Sequence, residues 1–334
     1  MQDMGTSTTQ VANSENDPIA YEELMAASEL GVVPIRHSGR WVAAGLVSIL
    51  VLLLLRSAMA NPNYQWHIVG QYLFDERILR GLLLTLQLTF ETLLLALVLG
   101  TAIALCRTSP SGLLRTVSWA YIWFFRGTPV LVQLIFWYNF AALYPQLTIG
   151  LPFGPTLLQV DSNSAINAMT AALVGLGFNQ AAYMAEIIRS GLLSVDEGQR
   201  EAASALGLNK RQIFRRIIAP QAMRVVVPPV GNLLIGLLKD TALVSVIALP
   251  VLLYAAQLIY AQNFRTIPIL LTATIWYLVI TTVLTVAQFY VERYFAKGAT
   301  RNLPKTPLQK ARDYLKSMGK LVQTSFDAKG ARKR

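Results

Sequence analysis

Ionisable side chains inside long apolar stretches are the residues of this chain whose types and positions point most directly to chemistry. Glu91 lies near the middle of the apolar stretch Ile78–Cys106, and the cluster Lys239-Asp240-Thr241 interrupts the stretch Val225–Ile259. An ionisable group in the interior of a membrane is energetically costly, and it is therefore a candidate for function. These residues indicate a polar pathway through a membrane.

Two interpretations stay open for each of these groups. The Glu91 carboxylate either faces the pathway and attracts a cationic substrate group, or it is protonated or hydrogen-bonded between helices at a subunit seam. The cluster Lys239-Asp240-Thr241 either lies near a gate or substrate cavity, or it forms a buried ion pair between subunits. The sequence alone does not separate these alternatives, because both need a polar group at the same depth.

Two amides and one charged pair complete the polar groups of the apolar stretches. Gln133 and Gln180 are candidate pathway residues, because an amide donates to a carboxylate and accepts from an ammonium. Hydrogen bonding between helices is the alternative for both. Glu186 and Arg189 are three residues apart on a predicted helix, a spacing that favours a structural ion pair.

Several classes of chemistry lack the residues that they need. The sequence has no G-x-x-x-x-G-K-[ST] motif for cradling nucleotide phosphates, and no nucleophile elbow with a Ser/His/Asp arrangement. Two His and one Cys cannot assemble a zinc or haem centre. We therefore expect a chain that is not an enzyme and that itself binds no cofactor or metal.

A polar segment, residues 194–220, separates two apolar stretches. Asp196 is placed to cap a short helix that Gly207 ends, and Asn209 to cap a second helix that Pro220 ends. The first helix is acidic at its start and the second is basic. The expected element is a pair of short helices that projects into water, where another protein docks.

This segment carries the pattern E-A-A-x3-G, followed by x9-I-x-A-P. It resembles the EAA loop with which permease subunits of bacterial ABC importers bind their ATPase. The resemblance implies that coupling to the ATPase involves Gly198, Glu201, Ala202, Ala203, Gly207 and Pro220. One departure is Ala219, where the family usually has Leu.

Further motifs resemble the polar amino acid branch of the same family. They are Phe125–Pro129, Ala181–Arg189, Gly198-Gln199, Pro220-Gln221-Ala222 and Lys239-Asp240-Thr241. The resemblance implies an all-α type I ABC importer transmembrane domain with five core helices, and an importer permease for polar amino acids. It also implies three partners: an ATPase dimer that uses ATP and Mg²⁺, a second permease subunit and an extracytoplasmic substrate-binding protein. A secondary transporter or a membrane scaffold protein is the alternative.

Six stretches are apolar and long enough to be predicted as membrane crossings. The first would be an extra N-terminal helix beside the five core crossings. Thr128 is predicted to cap the third stretch, which leaves Arg126 just outside it at the cytoplasmic surface. The stretches are Trp41–Met59, Ile78–Cys106, Thr128–Tyr144, Ser164–Ile188, a broken span within Val225–Ile259, and Thr266–Val291.

Basic residues set the orientation of these crossings. With six crossings, the basic flanks at residues 36–40, 107–115 and 200–224 all fall on the cytoplasmic side, together with both termini. The predicted division is a disordered acidic segment 1–35, the extra transmembrane helix 36–60, the permease domain 78–292 with its coupling loop 194–220, and a basic tail 293–334.

The net charge of +11 comes mostly from the tail, which carries twelve Lys and Arg against two Asp. Leu308, Ala311, Leu315, Met318 and Val322 recur at helical spacing within it. The tail is therefore predicted to lie as an amphipathic helix on anionic membrane lipid, with a solvated and partly disordered tail as the alternative. The location of the charge argues against binding of nucleic acid.

Overall fold

The computed structural model describes residues 38–150 and 156–296, together with residues 309, 312 and 313. Within them the chain is helical apart from turns and one two-stranded hairpin. The predictions for the segment 1–35 and for the amphipathic tail fall almost wholly outside the described residues.

The first compact unit, Met1–Pro62, contains one described helix, α1 (Ser38–Ala60). Its 19 residues from Val42 to Ala60 are apolar and long enough to cross a membrane. Large apolar side chains such as Leu46 and Leu52 are exposed along it. This surface suits a helix surrounded by lipid, and it coincides with the predicted span Trp41–Met59.

The second unit, Asn63–Arg334, holds the remaining described elements. In chain order they are a 3₁₀ turn (Pro62–Tyr64, which begins at the unit boundary), α2 (Trp66–Tyr72), α3 (Glu76–Arg107), α4 (Gly112–Gly127), α5 (Val130–Tyr138), α6 (Phe140–Leu143), β1 (Gln146–Gly150), β2 (Thr156–Asp161), α7 (Ser162–Ala165), α8 (Ala168–Leu193), α9 (Glu197–Ala205), α10 (Lys210–Ile213), a π-helical turn (Phe214–Ile218), α11 (Ala219–Asp240), a 3₁₀ helix (Thr241–Ile247), α12 (Leu252–Asn263) and α13 (Thr266–Ala296).

Five helical stretches of the described chain are long and apolar enough to cross a membrane, where six crossings were predicted. They are Val42–Ala60, Glu76–Arg107, Ala168–Leu193, Lys210–Ile247 and Thr266–Ala296. The difference is the predicted third crossing, Thr128–Tyr144, which is not one long helix. The all-α membrane fold is otherwise as predicted.

The chain near Thr128 is divided by a proline. Thr128 and Pro129 are extended, and they separate α4 from the nine-residue α5. Proline disfavours helical backbone in the residue before it, which explains the break. The prediction that Thr128 caps the following helix is wrong: Pro129 occupies that position, and the Thr128 hydroxyl donates backwards to the Phe124 carbonyl at 2.9 Å.

The predicted break near Lys239-Asp240-Thr241 is confirmed. α11 ends at Asp240, and a 3₁₀ helix leads to Ala248, whose φ of 57° ends it. α12 begins at Leu252, whose backbone N–H donates to the buried Thr85 hydroxyl of α3 at 2.9 Å. The interrupted backbone is thus stabilised inside the protein, as an interruption at membrane depth requires.

The segment between the predicted third and fourth crossings contains a β-hairpin. β1 and β2 pair antiparallel, with Leu147 opposite Val160 and Thr148 opposite Gln159. The Ser162 hydroxyl donates to the Tyr144 carbonyl and closes the base of the hairpin. The alternation in these strands is too short to be distinguished by sequence from an irregular loop.

The core is built on a close crossing of α3 and α8, helped by small residues. A β-carbon at Gly100 would come within 2.7 Å of the Met184 β-carbon and 3.0 Å of the Ala181 carbonyl oxygen. Met184 and Ala181 are fully buried. Glycine therefore sets how closely these helices approach, as small residues do in membrane helix pairs.

Gly100→Val is expected to lower the free energy of unfolding by about 1–3 kcal/mol, because the added atoms overpack a rigid contact. Thermal unfolding of the detergent-purified protein measures this. Gly70→Val is the matched control, since a β-carbon at Gly70 would meet no atom within 4 Å. Equal melting temperatures for the two variants would contradict the role of Gly100.

Candidate functional site: a docking helix pair and a polar membrane cavity

The polar segment after α8 contains the starts of two helices, each capped at its N-terminus by the predicted residue. The Asp196 carboxylate accepts from the Gly198 backbone N–H at 2.7 Å and begins α9. Asn209 begins α10, and its side chain and that of Gln212 each accept from the other's backbone N–H, at 3.0 and 2.9 Å. Such reciprocal caps depend only on local sequence.

Gly207 makes the turn between these helices. Its φ is +77°, a conformation that glycine adopts without steric cost. The Gly207 N–H donates to the Ser204 carbonyl at 3.0 Å and the Leu208 N–H to the Ala203 carbonyl at 3.2 Å. This pair of bonds is a Schellman motif, which satisfies the last carbonyls of α9.

The outer face of α9 is exposed. Ala203 is the buried residue of α9, whereas Gly198, Glu201 and Ala202 of the same helix and the following Gly207 are exposed. Leu206, which lies between the end of α9 and Gly207, is a large apolar residue and is 81% exposed. Leu206 is therefore a candidate contact residue for the protein docking that the sequence predicts at this segment.

The prediction that Pro220 ends the second helix is wrong. The helix continues from Lys210 through the π-helical turn Phe214–Ile218 into α11, with Pro220 in the first turn of α11. Proline has no N–H and its ring crowds the carbonyl four residues earlier. The wider π turn before it removes that conflict, and π turns of this kind are frequent at functional sites.

α11 therefore joins the helix pair to the other end of the broken span. It contains Pro228 and Pro229, and its Pro228 carbonyl accepts from the Gln288 side-chain amide of α13 at 3.3 Å. The same amide donates to the Asn232 side-chain oxygen at 3.2 Å. These bonds tie α11 to α13 beside the two prolines.

A polar cavity of about 640 Å³ opens beside the far half of α11. Its walls come from the α4–α5 junction, α8 and α11. The polar side chains that line it are Arg126, Thr128, Asn179, Gln180, Tyr183, Asn232 and Asp240.

Opposite charges are arranged on the wall of this cavity. The Gln180 amide donates to the Asp240 carboxylate at 3.3 Å. The Arg126 guanidinium carbon lies 5.1 Å from the centre of the Tyr183 ring, within the range of a cation–π contact. Within the described part of the chain, neither Arg126 nor Asp240 forms an ion pair. Both charges are therefore available to a bound molecule that carries the opposite ones.

The cavity wall is held by hydrogen bonds to one carbonyl group. The Phe125 carbonyl accepts from the Asn179 amide at 2.7 Å and from the Gln133 amide at 3.1 Å. Gln133 also donates to the Thr128 hydroxyl at 2.7 Å. These bonds join α4, α5 and α8, and they position Arg126, the residue after Phe125.

The candidate pathway residues fall into two groups. Gln180 and Asp240 line the cavity together. Gln133 is buried behind it and bonds between helices, Thr241 is buried with its hydroxyl on the Leu238 carbonyl at 2.6 Å, and Lys239 is exposed. Glu91 lies on α3 outside the cavity lining and accepts from the Gln87 amide at 2.8 Å. A pathway role for Glu91 stays a prediction.

Five polar lining residues were not assigned to the pathway from the sequence: Arg126, Thr128, Asn179, Tyr183 and Asn232. Helical spacing could have identified some of them, because residues four apart lie on one face of a helix. Asn179 and Tyr183 have this spacing, and so do Asn232, Gly236 and Asp240. The predicted Glu186–Arg189 ion pair is confirmed at 2.8 Å.

The chain thus combines membrane-length helices with the capped helix pair 197–213, named the docking helix pair after its predicted role, and with a polar cavity that α11 connects to this pair. This architecture is that of the transmembrane domain of a type I ABC importer. The chain belongs to the family of binding-protein-dependent transport system inner membrane components, whose model matches residues 96–297. The family predicted from the EAA-like segment is thereby confirmed.

Individual relatives agree with this family. The chain is 45% identical over 272 residues to the arginine transport system permease protein ArgU of Corynebacterium glutamicum, covering 81% of this chain and 84% of that one. It is 35% identical over 216 residues to the glutamine transport system permease protein GlnP of Escherichia coli strain K12, covering 65% and 91%. These similarities identify an amino acid permease subunit of the ABC type in the inner membrane.

Solved structures support the same fold. A crystal structure of an amino acid ABC transporter with histidines matches at a TM-score of 0.57 and 34% identity, covering 67% of this chain and 97% of that one. The MetNI methionine ABC transporter in an inward-facing form matches at 0.52 and 23% identity, covering 65% and 95%, which supports the fold alone. The family match and the amino acid permease relatives favour the importer over a secondary transporter or a scaffold protein.

Proposed function

We propose that this chain forms the membrane pathway for a polar amino acid, preferably a basic one, and that a separate ATPase drives the transport. The observation that carries the proposal is the cavity in which Arg126 and Asp240 present opposite charges, neither of which forms an ion pair with any residue that the structure describes. The similarity to a protein named as an arginine permease supports a basic substrate.

The cavity chemistry fits an amino acid zwitterion. Arg126 is suited to the substrate carboxylate, because a guanidinium donates two parallel hydrogen bonds to it. Asp240, oriented by Gln180, is suited to an ammonium or guanidinium group of the substrate. Asn179 and Asn232 add amide groups that donate and accept at the same wall.

Coupling is proposed to run along α11. The ATPase would hold the exposed face of α9, at Gly198, Glu201, Ala202, Gly207 and the neighbouring Leu206, above the buried Ala203. Movement of this helix pair would then pass through Pro220 and the π turn into α11, which carries Asp240. The chain would bind no cofactor itself, and ATP and Mg²⁺ would be used by the partner.

The proposed assembly has two permease chains, identical or homologous, an ATPase dimer and an extracytoplasmic substrate-binding protein. Both termini of the chain would be cytoplasmic, with segment 36–60 as an extra membrane helix, segment 78–292 as the permease domain and the basic tail 293–334 on the inner lipid surface. This orientation places the basic flanks and the docking helices on the cytoplasmic side, in agreement with the positive-inside rule.

Filling the cavity tests the proposed function. Gly236 lines the cavity, and a β-carbon there would meet no atom within 4 Å. Gly236→Leu is therefore expected to fold normally. It is expected to lower arginine uptake about tenfold or more, because the leucine side chain fills space in which the substrate must be positioned. The measurement is uptake of labelled arginine, glutamine and glutamate by vesicles that contain the complete transporter.

Gly112→Leu is the matched control, because a β-carbon at Gly112 is equally free of contacts and Gly112 lies outside the cavity lining. Normal uptake of all three amino acids by Gly236→Leu would contradict the cavity as the pathway. Uptake by the unmodified transporter that fails to depend on ATP would contradict the proposed ATPase partner.

A further inference from the structure

An apolar groove of about 550 Å³ runs between α3, α8, α11 and α13, apart from the polar cavity. Leu97, Val227, Val230, Leu234, Leu284 and Val291 are among its lining residues. Leu97 and Val291 are each about half exposed, so the groove opens on the surface of the bundle. Such a surface within a membrane domain takes an apolar occupant, because water and polar groups bind poorly to it.

A second cavity of about 550 Å³ adjoins one end of this groove. The two share Ala219 and Met223, so the apolar groove leads directly into the second cavity. Arg215, Arg224 and Tyr294 line the second cavity. The combined site is apolar along its length and basic at one end.

The arginines at this end have no acidic partner in the described part of the chain. Arg215 is exposed and Arg224 is half-buried, and neither forms an ion pair with another described residue. Glu292 on the neighbouring α13 accepts from the Gln288 amide at 2.6 Å and does not line the cavity. Arg211 and Arg216 lie in an adjoining depression with Arg215, and they increase the positive potential.

We propose that this composite site binds one anionic phospholipid. The phosphate of its headgroup lies between Arg215 and Arg224, and one acyl chain lies in the groove beyond Met223. Charge complementarity selects an anionic headgroup, and the continuity of basic and apolar cavities selects a molecule that has both parts. Tyr294 at the mouth fits the depth of the lipid headgroups, where aromatic side chains concentrate.

The lipid would lie at the base of the docking helix pair. Arg215 belongs to the π turn that joins α10 to α11, and Val227 and Val230 of the groove flank the two prolines of α11. An occupant here contacts the helix that links the docking pair to the polar cavity. Bound lipid is therefore expected to stabilise one position of α11.

Binding is tested by native mass spectrometry of the detergent-purified complete transporter with phosphatidylglycerol and with phosphatidylcholine of the same acyl chains. The unmodified protein is expected to bind phosphatidylglycerol about thirtyfold more tightly, which corresponds to roughly 1 kcal/mol for each of two arginines. Arg215→Gln/Arg224→Gln is expected to remove this preference. The charge-matched control Arg80→Gln/Arg265→Gln, at exposed arginines outside the site, is expected to keep it.

Two further arms identify the occupant. Met223 is 39% exposed, so we expect Met223→Trp to leave the melting temperature unchanged. It is expected to weaken binding of both lipids about tenfold, because the larger side chain blocks the groove. Glycerol 1-phosphate, which has a headgroup phosphate without acyl chains, is expected to compete poorly with phosphatidylglycerol. Equal affinity of the unmodified protein for both lipids, or displacement by equimolar glycerol 1-phosphate, would overturn the proposal.

A second copy of the chain is the other candidate for the groove. In that case Met223→Trp would dissociate the permease dimer and leave phosphatidylglycerol binding unchanged, and this result too would overturn the proposal. The binding measurements do not depend on which amino acid is transported. Failure of the lipid site is therefore distinguishable from failure of the proposed function.

Discussion

Asp240→Asn is expected to raise the KM for arginine uptake about thirtyfold while the protein stays folded. A carboxylate and a cationic group about 4 Å apart attract each other by about 4 kcal/mol at an effective dielectric constant of about 20. If desolvation offsets half of this, about 2 kcal/mol remains, which corresponds to about thirtyfold in affinity. Asn keeps an oxygen that accepts from Gln180, so the substitution removes the charge and retains that hydrogen bond.

The measurement is the concentration dependence of uptake of arginine, glutamine and glutamate by reconstituted vesicles. Glu76→Gln is the control for loss of one carboxylate, because Glu76 is 76% exposed and lies outside the cavity. Glu91→Gln, measured beside them, decides whether Glu91 also faces the pathway. An unchanged KM for Asp240→Asn with every substrate would contradict a role in substrate binding. It would favour the alternative in which Asp240 is part of a structural ion pair.

Leu206→Glu is expected to weaken binding of the ATPase subunit at least about tenfold and to abolish ATP-driven uptake. Burial of a leucine side chain in an interface contributes about 1.5–3 kcal/mol, and a buried unpaired carboxylate adds a further cost. Leu206 is 81% exposed in the chain by itself, so its replacement leaves the fold unaffected. Co-purification of the ATPase with the tagged permease, followed by uptake in vesicles, measures both effects.

Phe264→Glu is the matched control for this variant. Phe264 is 88% exposed, apolar and outside the docking helix pair, so its replacement is expected to leave ATPase binding unchanged. Gly207→Asn, which introduces the residue best able to adopt the positive φ of this position after glycine, is expected to retain most of the coupling. Normal ATPase binding by Leu206→Glu would contradict the assignment of α9 to the interface with the ATPase.

The docking helix pair could be predicted in detail because its structure depends on neighbours in the sequence. Asp196 and Asn209 cap with side chains that reach two or three residues ahead, and Gly207 adopts a conformation that glycine alone tolerates well. Pro220 was misplaced for the opposite reason. Whether a proline ends a helix or is accommodated by a π turn depends on what the continuing helix packs against.

The cavity could be predicted only in part. Gln180 and Asp240 were recognised because they are polar residues in apolar surroundings. Arg126 and Tyr183 were not assigned to it, because a residue at a helix end or on a mixed face carries no signal of where it points. Glu91, the most conspicuous charge in the sequence, lies outside the cavity lining, since its direction is set by the rotation of α3 in the bundle.

The sequence by itself determined the class of membrane protein, the approximate membrane stretches and the capped docking pair, because hydrophobic length and local capping act over a few residues or along one helix. Only the tertiary structure decided that the stretch Thr128–Tyr144 is not one long helix, that the helix beginning at Lys210 continues to Asp240, and that Arg126 and Asp240 share one cavity. These features depend on how α4, α8 and α11 rotate and pack against one another. That packing is a balance of contacts between residues far apart in sequence, such as the bonds from Gln133 and Asn179 to the Phe125 carbonyl.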